Sequence, residues 1–145
     1  MNTIIRNILA VILGFVLGSI ANIALVVAGP RVIPPPPGVD FSNAQNFAAN
    51  LHLLEPRHFI FPFLAHAIGT LVGALVAYLI AGSRRVTFAY VLGVLFLAGG
   101  IVAVCMYPAP VWFDALDLVV AYLPMAWLAV KLGRKFRSEP TPGAT

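Results

Sequence analysis

Four uninterrupted apolar stretches dominate this sequence and restrict the folds open to it. They cover roughly residues 4–28, 58–82, 86–106 and 112–132. A helix needs about 20 apolar residues to cross the hydrocarbon core of a bilayer, and each stretch has that length. Only 10% of the residues are charged, whereas a soluble domain carries about 25%. The chain is therefore predicted to be an integral membrane protein.

The spans are predicted to be helices rather than β-strands. Each is continuously apolar, without the alternation that marks a barrel strand, and only helices and closed barrels satisfy the backbone in hydrocarbon. Short links between spans two and three, and between spans three and four, make these pairs antiparallel neighbours. We expect an all-α, four-helix membrane bundle that forms a single domain of residues 1–145.

Basic residues predict the direction in which the spans run, because cytoplasmic loops are enriched in lysine and arginine. With the N-terminus inside, the cytoplasmic residues are Arg6, Arg84, Arg85, Lys131, Arg134, Lys135 and Arg137. Only Arg31 and Arg57 then lie outside. Both termini, including the tail 133–145, are expected in the cytoplasm. The net charge of +4 is explained by this topology, so no nucleic-acid partner is predicted.

The long connection, residues 29–57, contains a segment with helical character. Ser42 followed by Gln45 fits a capping box. Apolar residues then recur at helical spacing, namely Phe47, Leu51 and Leu54. We predict a short amphipathic helix on the outer membrane surface. The alternative is a lid that packs on the bundle.

Small residues form stripes along three of the spans. The spacing Gly14-x-x-x-Gly18 is a motif that lets two helix backbones approach closely. The corresponding residues of spans two and three are Gly69, Gly73, Gly93 and Gly100. Packing within one bundle is the expected use. A homo-oligomer or a larger membrane complex is the alternative that stays open, and membrane lipids are the other expected partners.

Polar residues at membrane depth are the candidate site residues. Asn22, His66 and Asp117 are predicted to lie about 8–12 Å below the outer ends of their spans, at 1.5 Å per residue. A carboxylate inside a span costs several kcal/mol unless it is paired or hydrated. We therefore expect His66 to point into the bundle and pair with Asp117, with Asn22 as a further hydrogen-bond partner.

Further polar residues are predicted above and below this cluster. Thr70 and Gly73 follow His66 on the same helix face, where they are expected to leave room for a water or a small ligand. Nearer the outer surface, four side chains are predicted to gather at the mouth of the cluster: Glu55, Arg57, His58 and Asp114.

The sequence predicts no catalytic residue, no metal and no cofactor. His58 and His66 lie about 12 Å apart along a helix, too far to share one ion, and the spaced His and Cys pairs of zinc sites are absent from the sequence. No serine–histidine arrangement suggests a hydrolase. Ligation of haem by a single histidine is the weakest of the functional alternatives.

Three blocks of sequence carry a resemblance to a known family. They are GPRVIPPPPGVD, LEPRHFIFPFLAHAIGTLVGALVAY and WFDALDLVVAYLPMAWLAVKLG. They resemble a family of small, functionally uncharacterised four-span proteins of the bacterial inner membrane. The resemblance implies that the outer side faces the periplasm, and it implies no catalytic residues.

Three functional hypotheses follow from these observations. The first is a non-enzymatic membrane protein, either a small-ligand or lipid-binding module or an accessory subunit, with an outward-facing polar cluster. The second is a small proton- or ion-coupled transporter that uses His66 and Asp117. The third and weakest is a haem-binding or oxidoreductase membrane subunit.

Cysteine labelling tests the predicted orientation. In a Cys105→Ala background, Ser42→Cys should react with a membrane-impermeant thiol reagent in intact cells. Ser83→Cys should react only after permeabilisation, because Ser83 precedes the cytoplasmic pair Arg84 and Arg85. Labelling at residue 83 together with protection at residue 42 would contradict the predicted orientation and indicate the opposite one.

Overall fold

The computed structural model describes residues 2–37, 39, 44–107 and 109–137. Within these residues every regular element is helical. Four segments are long and apolar enough to cross a membrane: Thr3–Val32, Pro56–Ile80, Arg85–Met106 and Val111–Phe136. The predicted all-α, four-helix bundle is confirmed.

Six α-helices and two short 3₁₀ turns make up the described chain. The α-helices are α1 (Thr3–Val32), α2 (Ala44–Asn50), α3 (Ile60–Ile80), α4 (Arg85–Met106), α5 (Val111–Val120) and α6 (Leu123–Phe136). The 3₁₀ turns are Leu51–Leu53 and Pro56–Phe59. Helix α1 continues four residues past the predicted end of the first span, with Pro30 in its last turn. Helix α6 likewise extends into the segment predicted as the cytoplasmic tail.

Helix α3 is the central element of the bundle and contacts α1, α4, α5 and α6. Its buried residues are mostly small: Ala65, Ala67, Gly69, Thr70, Gly73, Ala74, Ala77 and Tyr78. Small residues let neighbouring backbones approach closely, which is how helices gain packing energy in lipid. Helix α1, by contrast, exposes large apolar side chains along most of its length, as expected of a peripheral helix that faces lipid.

Two pairs of glycines bring α1 and α3 into backbone contact. A Cβ on Gly18 would meet the carbonyl oxygen of Gly69 at 2.6 Å and the ring of Phe96 at 2.7 Å. A Cβ on Gly14 would meet the carbonyl oxygen of Gly73 at 2.7 Å. These positions accept no side chain without displacement of a neighbouring backbone. The four glycines therefore lie at a helix–helix contact.

The glycines of α4 pack on the fourth span. A Cβ on Gly93 would meet the Cβ of Ala126 at 2.8 Å, and one on Gly100 would overlap the ring and hydroxyl of Tyr122. Gly99 has no neighbouring atom within 4 Å. Gly93 and Gly100 thus mark the face of α4 that packs on the fourth span, and Gly99 lies outside it.

The fourth span is broken in the middle, whereas one continuous helix was expected. Helix α5 ends at Val120, and α6 begins at Leu123 after a turn at Ala121 and Tyr122. Pro124 explains the break, because proline has no N–H to donate to residue 120 and its ring clashes with that carbonyl. Ala121 and Tyr122 are 0% and 2% exposed. Irregular backbone at membrane depth is tolerated where protein surrounds it.

The two ends of the bundle differ, and we name them by what they carry. The terminal side carries the start of α1, the end of α6 and the α3–α4 turn, while the loop side carries the ends of α1 and α4 and the starts of α3 and α5. On the terminal side, Asn7 accepts hydrogen bonds from the backbone of Gly82 and Ser83 at 3.0 and 3.3 Å. Arg6 donates to the carbonyl of Ile80. These bonds fix the start of α1 to the α3–α4 turn.

On the loop side, described residues of the connection pack onto the bundle. Helix α2 occupies part of the predicted amphipathic segment, although its proposed cap, Ser42, lies outside the described residues. Leu51 is 5% exposed and packs with Phe59 and Phe113. This contact favours the lid that the sequence left as the alternative.

Glycine substitutions test the contact between α1 and α3. We expect Gly18→Ala to destabilise the protein by about 1–3 kcal/mol, the usual cost of overpacking, because its Cβ has no room. Gly99→Ala is the matched control and should be neutral or slightly stabilising, because alanine is the better helix former. Unfolding in one detergent gives both values, and equal stability of the two variants would contradict the contact.

Candidate functional site

His66 and Asp117 meet inside the bundle. His66 is the seventh residue of α3 and Asp117 the seventh residue of α5, so both lie about 9 Å from the loop-side ends of their helices. The Nδ1 atom of His66 lies 2.8 Å from Oδ2 and 3.0 Å from Oδ1 of Asp117. The Asp117 side chain is 3% exposed and that of His66 26%. The structure thus places the two residues in the pairing expected from their depth.

Tyr122 is a third member of this cluster, and the sequence analysis missed it. Its hydroxyl donates to Oδ2 of Asp117 at 2.9 Å, and its ring stacks on His66 with centroids 5.8 Å apart. In a continuous α-helix, residues five apart point about 140° away from each other. The turn after Val120 returns the Tyr122 hydroxyl to Asp117. The signal in the sequence was Pro124, which breaks the helix.

Gly100 makes room for Tyr122. A Cβ at position 100 would overlap the phenol ring and its hydroxyl. Ala67 and Ala121, both buried, complete the contact around the ring. Small residues on α3, on α4 and in the turn after α5 thereby hold the Tyr122 hydroxyl at the carboxylate.

The hydrogen-bond pattern leaves one polar atom of the cluster for a ligand. An ionised carboxylate only accepts hydrogen bonds, so the Nδ1 atom of His66 must carry the hydrogen that faces Asp117. The Nε2 atom of His66 has no hydrogen-bond partner among the described residues. Nε2 accepts a hydrogen bond when the ring is neutral and donates one when the ring is protonated.

A cavity of about 500 Å³ extends from this cluster to the loop side of the bundle. Its lining includes His66, Asp117 and Gly100 at the inner end, and His58 and Asp114 closer to the loop-side ends of their helices. The rest of its lining is predominantly apolar and comes from α1, α3, α4 and the connection, including Val26, Ile33, Leu51, Leu54, Phe61 and Val104. We call this space the loop-side cavity.

His58 fastens the connection across the cavity. Its Nδ1 atom accepts from the backbone N–H of Glu55 at 3.0 Å, and its Nε2 atom lies 3.1 Å from the carbonyl oxygen of Pro34. The neutral tautomer with hydrogen on Nε2 makes both bonds. His58 thereby ties the chain after α1 to the start of α3.

Three other predicted site residues take no part in the cluster. Glu55 and Arg57 form an ion pair at 3.1 Å, but both side chains are about 60% exposed and neither lines the cavity. Such surface pairs contribute little. Asn22 packs against Gly69 and has no hydrogen bond to a described residue, so its expected bond to His66 or Asp117 was wrong.

The room expected below His66 is filled. Thr70 is 0% exposed and lines no part of the loop-side cavity, and its hydroxyl has no hydrogen-bond partner among the described residues. Beside it, the backbone of Gly14 and the ring of Phe96 occupy the space next to Gly73. The cavity lies instead on the loop side of His66.

Metal ligands are not gathered at this site. Within the part of the chain that the structure describes, no group of three His, Cys, Asp or Glu side chains is placed to hold a metal ion.

Comparison with protein-family models, curated proteins and solved structures gives no match for this chain.

A double-mutant cycle tests the pairing of His66 and Asp117. We expect His66→Ala and Asp117→Ala to be non-additive by more than about 1 kcal/mol, because residues in one hydrogen-bond network couple. Equilibrium unfolding in mixed micelles supplies the four free energies. His66→Ala combined with Glu55→Ala is the control and should be additive, since Glu55 lies outside the network. Additivity of the first pair to within about 0.5 kcal/mol would contradict the interaction.

Proposed function

We propose that this protein is a non-enzymatic protein of the bacterial inner membrane that binds a small amphipathic ligand or lipid. The observation that carries the proposal is the loop-side cavity of about 500 Å³, whose apolar walls end on the His66–Asp117 pair. Ligand pockets are typically apolar spaces of about 300–1,000 Å³ with a few convergent polar groups. The volume of the loop-side cavity falls in this range, and its lining is likewise mostly apolar with polar groups at the inner end.

Apolar walls and a polar inner end are the surfaces that an amphipathic molecule would contact. Apolar side chains of α1 and α4 offer dispersion contacts to a hydrocarbon body. The Nε2 atom of His66 offers one hydrogen bond to a polar group. The connection supplies a cover, because Leu51 and Leu54 line the cavity and His58 holds the connection in place.

A binding role is better supported than covalent catalysis. A histidine paired with a carboxylate activates a nucleophile when a serine, cysteine or threonine lies within hydrogen-bond reach. The described residues that line the cavity include none of these three types. The hydroxyl beside the pair is that of Tyr122, and it is already bonded to Asp117.

The distribution of basic residues supports the proposed orientation. Arg84, Arg85, Arg134 and Lys135 line one open depression on the terminal side. A cluster of positive charge at one end of a membrane bundle is typical of its cytoplasmic end. The loop-side cavity then opens toward the periplasmic half of the membrane.

A small proton- or ion-coupled transporter is the second candidate, and the break between α5 and α6 favours it. Transporters often build their substrate sites from discontinuous helices near the middle of the membrane. The terminal-side half of this bundle, however, is filled by apolar side chains, among them Ala74, Ala77, Leu92, Ala126 and Val130. Binding therefore ranks ahead of transport.

Filling the cavity tests the proposed function. Ala103 lines the cavity, whereas its neighbour Val102 is 56% exposed on the outside of α4. Protein purified into nanodiscs with native lipids should carry a bound small amphiphile, measured by native mass spectrometry. We expect Ala103→Phe to abolish this bound mass and the control Val102→Phe to retain it.

Two results would contradict the proposal. The first is wild-type protein without any bound molecule. The second is equal occupancy in Ala103→Phe and Val102→Phe. An absorbance spectrum of the same samples tests the remaining hypothesis, because a Soret band in the purified protein would favour haem binding over amphiphile binding.

A further inference from the structure

The loop-side cavity has an excess of negative charge. Its lining contains two carboxylates, Asp114 and Asp117, and no lysine or arginine among the described residues. The arginines nearest in sequence are engaged elsewhere. Arg57 pairs with Glu55, and Arg31 donates to the carbonyl of Val27 at 3.0 Å on the exposed side of α1.

The pairing of Asp117 with His66 does not remove this excess. With both carboxylates ionised, a protonated His66 neutralises Asp117 and leaves the charge of Asp114. A neutral His66 leaves both charges. His58 contributes no positive charge in the neutral tautomer that accepts from the Glu55 N–H and donates to the Pro34 carbonyl, although its Nδ1 atom also lies 3.2 Å from the carbonyl oxygen of Glu55. With His58 in this neutral tautomer, the ionised lining is negative in either state of His66.

Aromatic side chains surround the same space. Those in the lining are Phe59, Phe61, Tyr107 and Phe113. The faces of aromatic rings attract cations, and the attraction is larger where the cation is desolvated. Charges inside a span are also costly unless a partner is present, so a cation in the cavity would offset the cost of Asp114.

We propose that the ligand of the loop-side cavity is an amphiphilic cation, a lipophilic amine or quaternary ammonium whose positive group lies between Asp114 and Asp117. This inference rests on the proposed function, because it names the class of molecule that the cavity binds. The carboxylates supply the charge preference, and the aromatic and aliphatic walls hold the hydrocarbon body.

Probes of equal shape and opposite charge test the preference. Tetraphenylphosphonium is a rigid hydrophobic cation, tetraphenylborate is its anionic counterpart, and triphenylphosphine oxide is a neutral relative. Binding is measured by equilibrium dialysis against nanodiscs of phosphatidylcholine with and without the protein. We expect saturable binding of tetraphenylphosphonium to the wild-type protein, and only non-saturable partitioning of tetraphenylborate.

Variants assign the preference to the two carboxylates. Asp114→Asn should weaken binding of the cation about a hundredfold, the scale of one charge pair about 6 Å apart at an effective dielectric constant of about 20. Glu55→Gln is the matched control, because it removes a carboxylate outside the cavity, and should leave the affinity unchanged. Ala103→Phe should abolish saturable binding.

The outcomes separate this inference from the proposed function. Saturable binding of the anion or the neutral probe that Ala103→Phe blocks, without preference for the cation, would overturn the charge inference and leave the cavity as a binding site. Failure of all three probes to bind the wild-type protein saturably would count against both proposals. The probe comparison uses wild-type protein, so it decides the charge preference even if a variant fails to fold.

Discussion

Burial of the Asp117 carboxylate is the constraint to which the surrounding structure responds. A carboxylate that is 3% exposed in a membrane-spanning segment is costly unless it is hydrogen-bonded or paired. Two groups meet this requirement: the imidazole of His66 from α3 and the hydroxyl of Tyr122 from beyond the break in the fourth span. Tyr122 fits because the residues around it are small: Gly100 leaves room for the phenol ring, and Ala67 packs beside it from α3. Removing one partner is therefore expected to cost more than the pair contributes, because the other charge stays buried.

Side-chain size along α3 changes from one end of the bundle to the other. From Gly69 onward the buried positions of α3 are glycine, alanine and threonine up to Tyr78, and α1, α4 and α6 pack tightly on them. Around the start of α3 the chain carries Phe59, Phe61 and Phe63 instead. Gly29 lets α1 pack closely against Phe61, and the rings of Phe59 and Phe61 form part of the wall of the loop-side cavity. The same helix therefore contributes to a tight helix–helix contact at one end and to the wall of a pocket at the other.

Hydropathy and depth predicted much of this architecture, and their limits have physical causes. The four spans follow from the cost of exposing polar groups to lipid, which acts on every residue of a span. The pairing of His66 with Asp117 follows from their equal depth and from the cost of leaving either polar side chain exposed to lipid. The depth of a residue fixes its position along the helix axis but not the direction in which its side chain points. Asn22 was therefore assigned to the cluster, although it faces Gly69. Tyr122 was missed because its position depends on a non-helical turn, and a periodic pattern assumes that the helix continues.

The unequal lengths of α1 and α4 have a consequence for where the cavity lies in the bilayer. Helix α1 has 30 residues and α4 has 22, which corresponds to about 45 and 33 Å. The hydrocarbon core is about 30 Å thick and helices tilt by about 20° on average, so α4 matches the core and α1 exceeds it by roughly 12 Å. Because Asn7 holds the start of α1 level with the α3–α4 turn, part of the excess is expected to project on the loop side and to place Gly29, Pro30 and Arg31 in the headgroup layer. We therefore expect the mouth of the cavity, which Gly29 and Pro30 line, at the level of the lipid headgroups and its inner end in hydrocarbon.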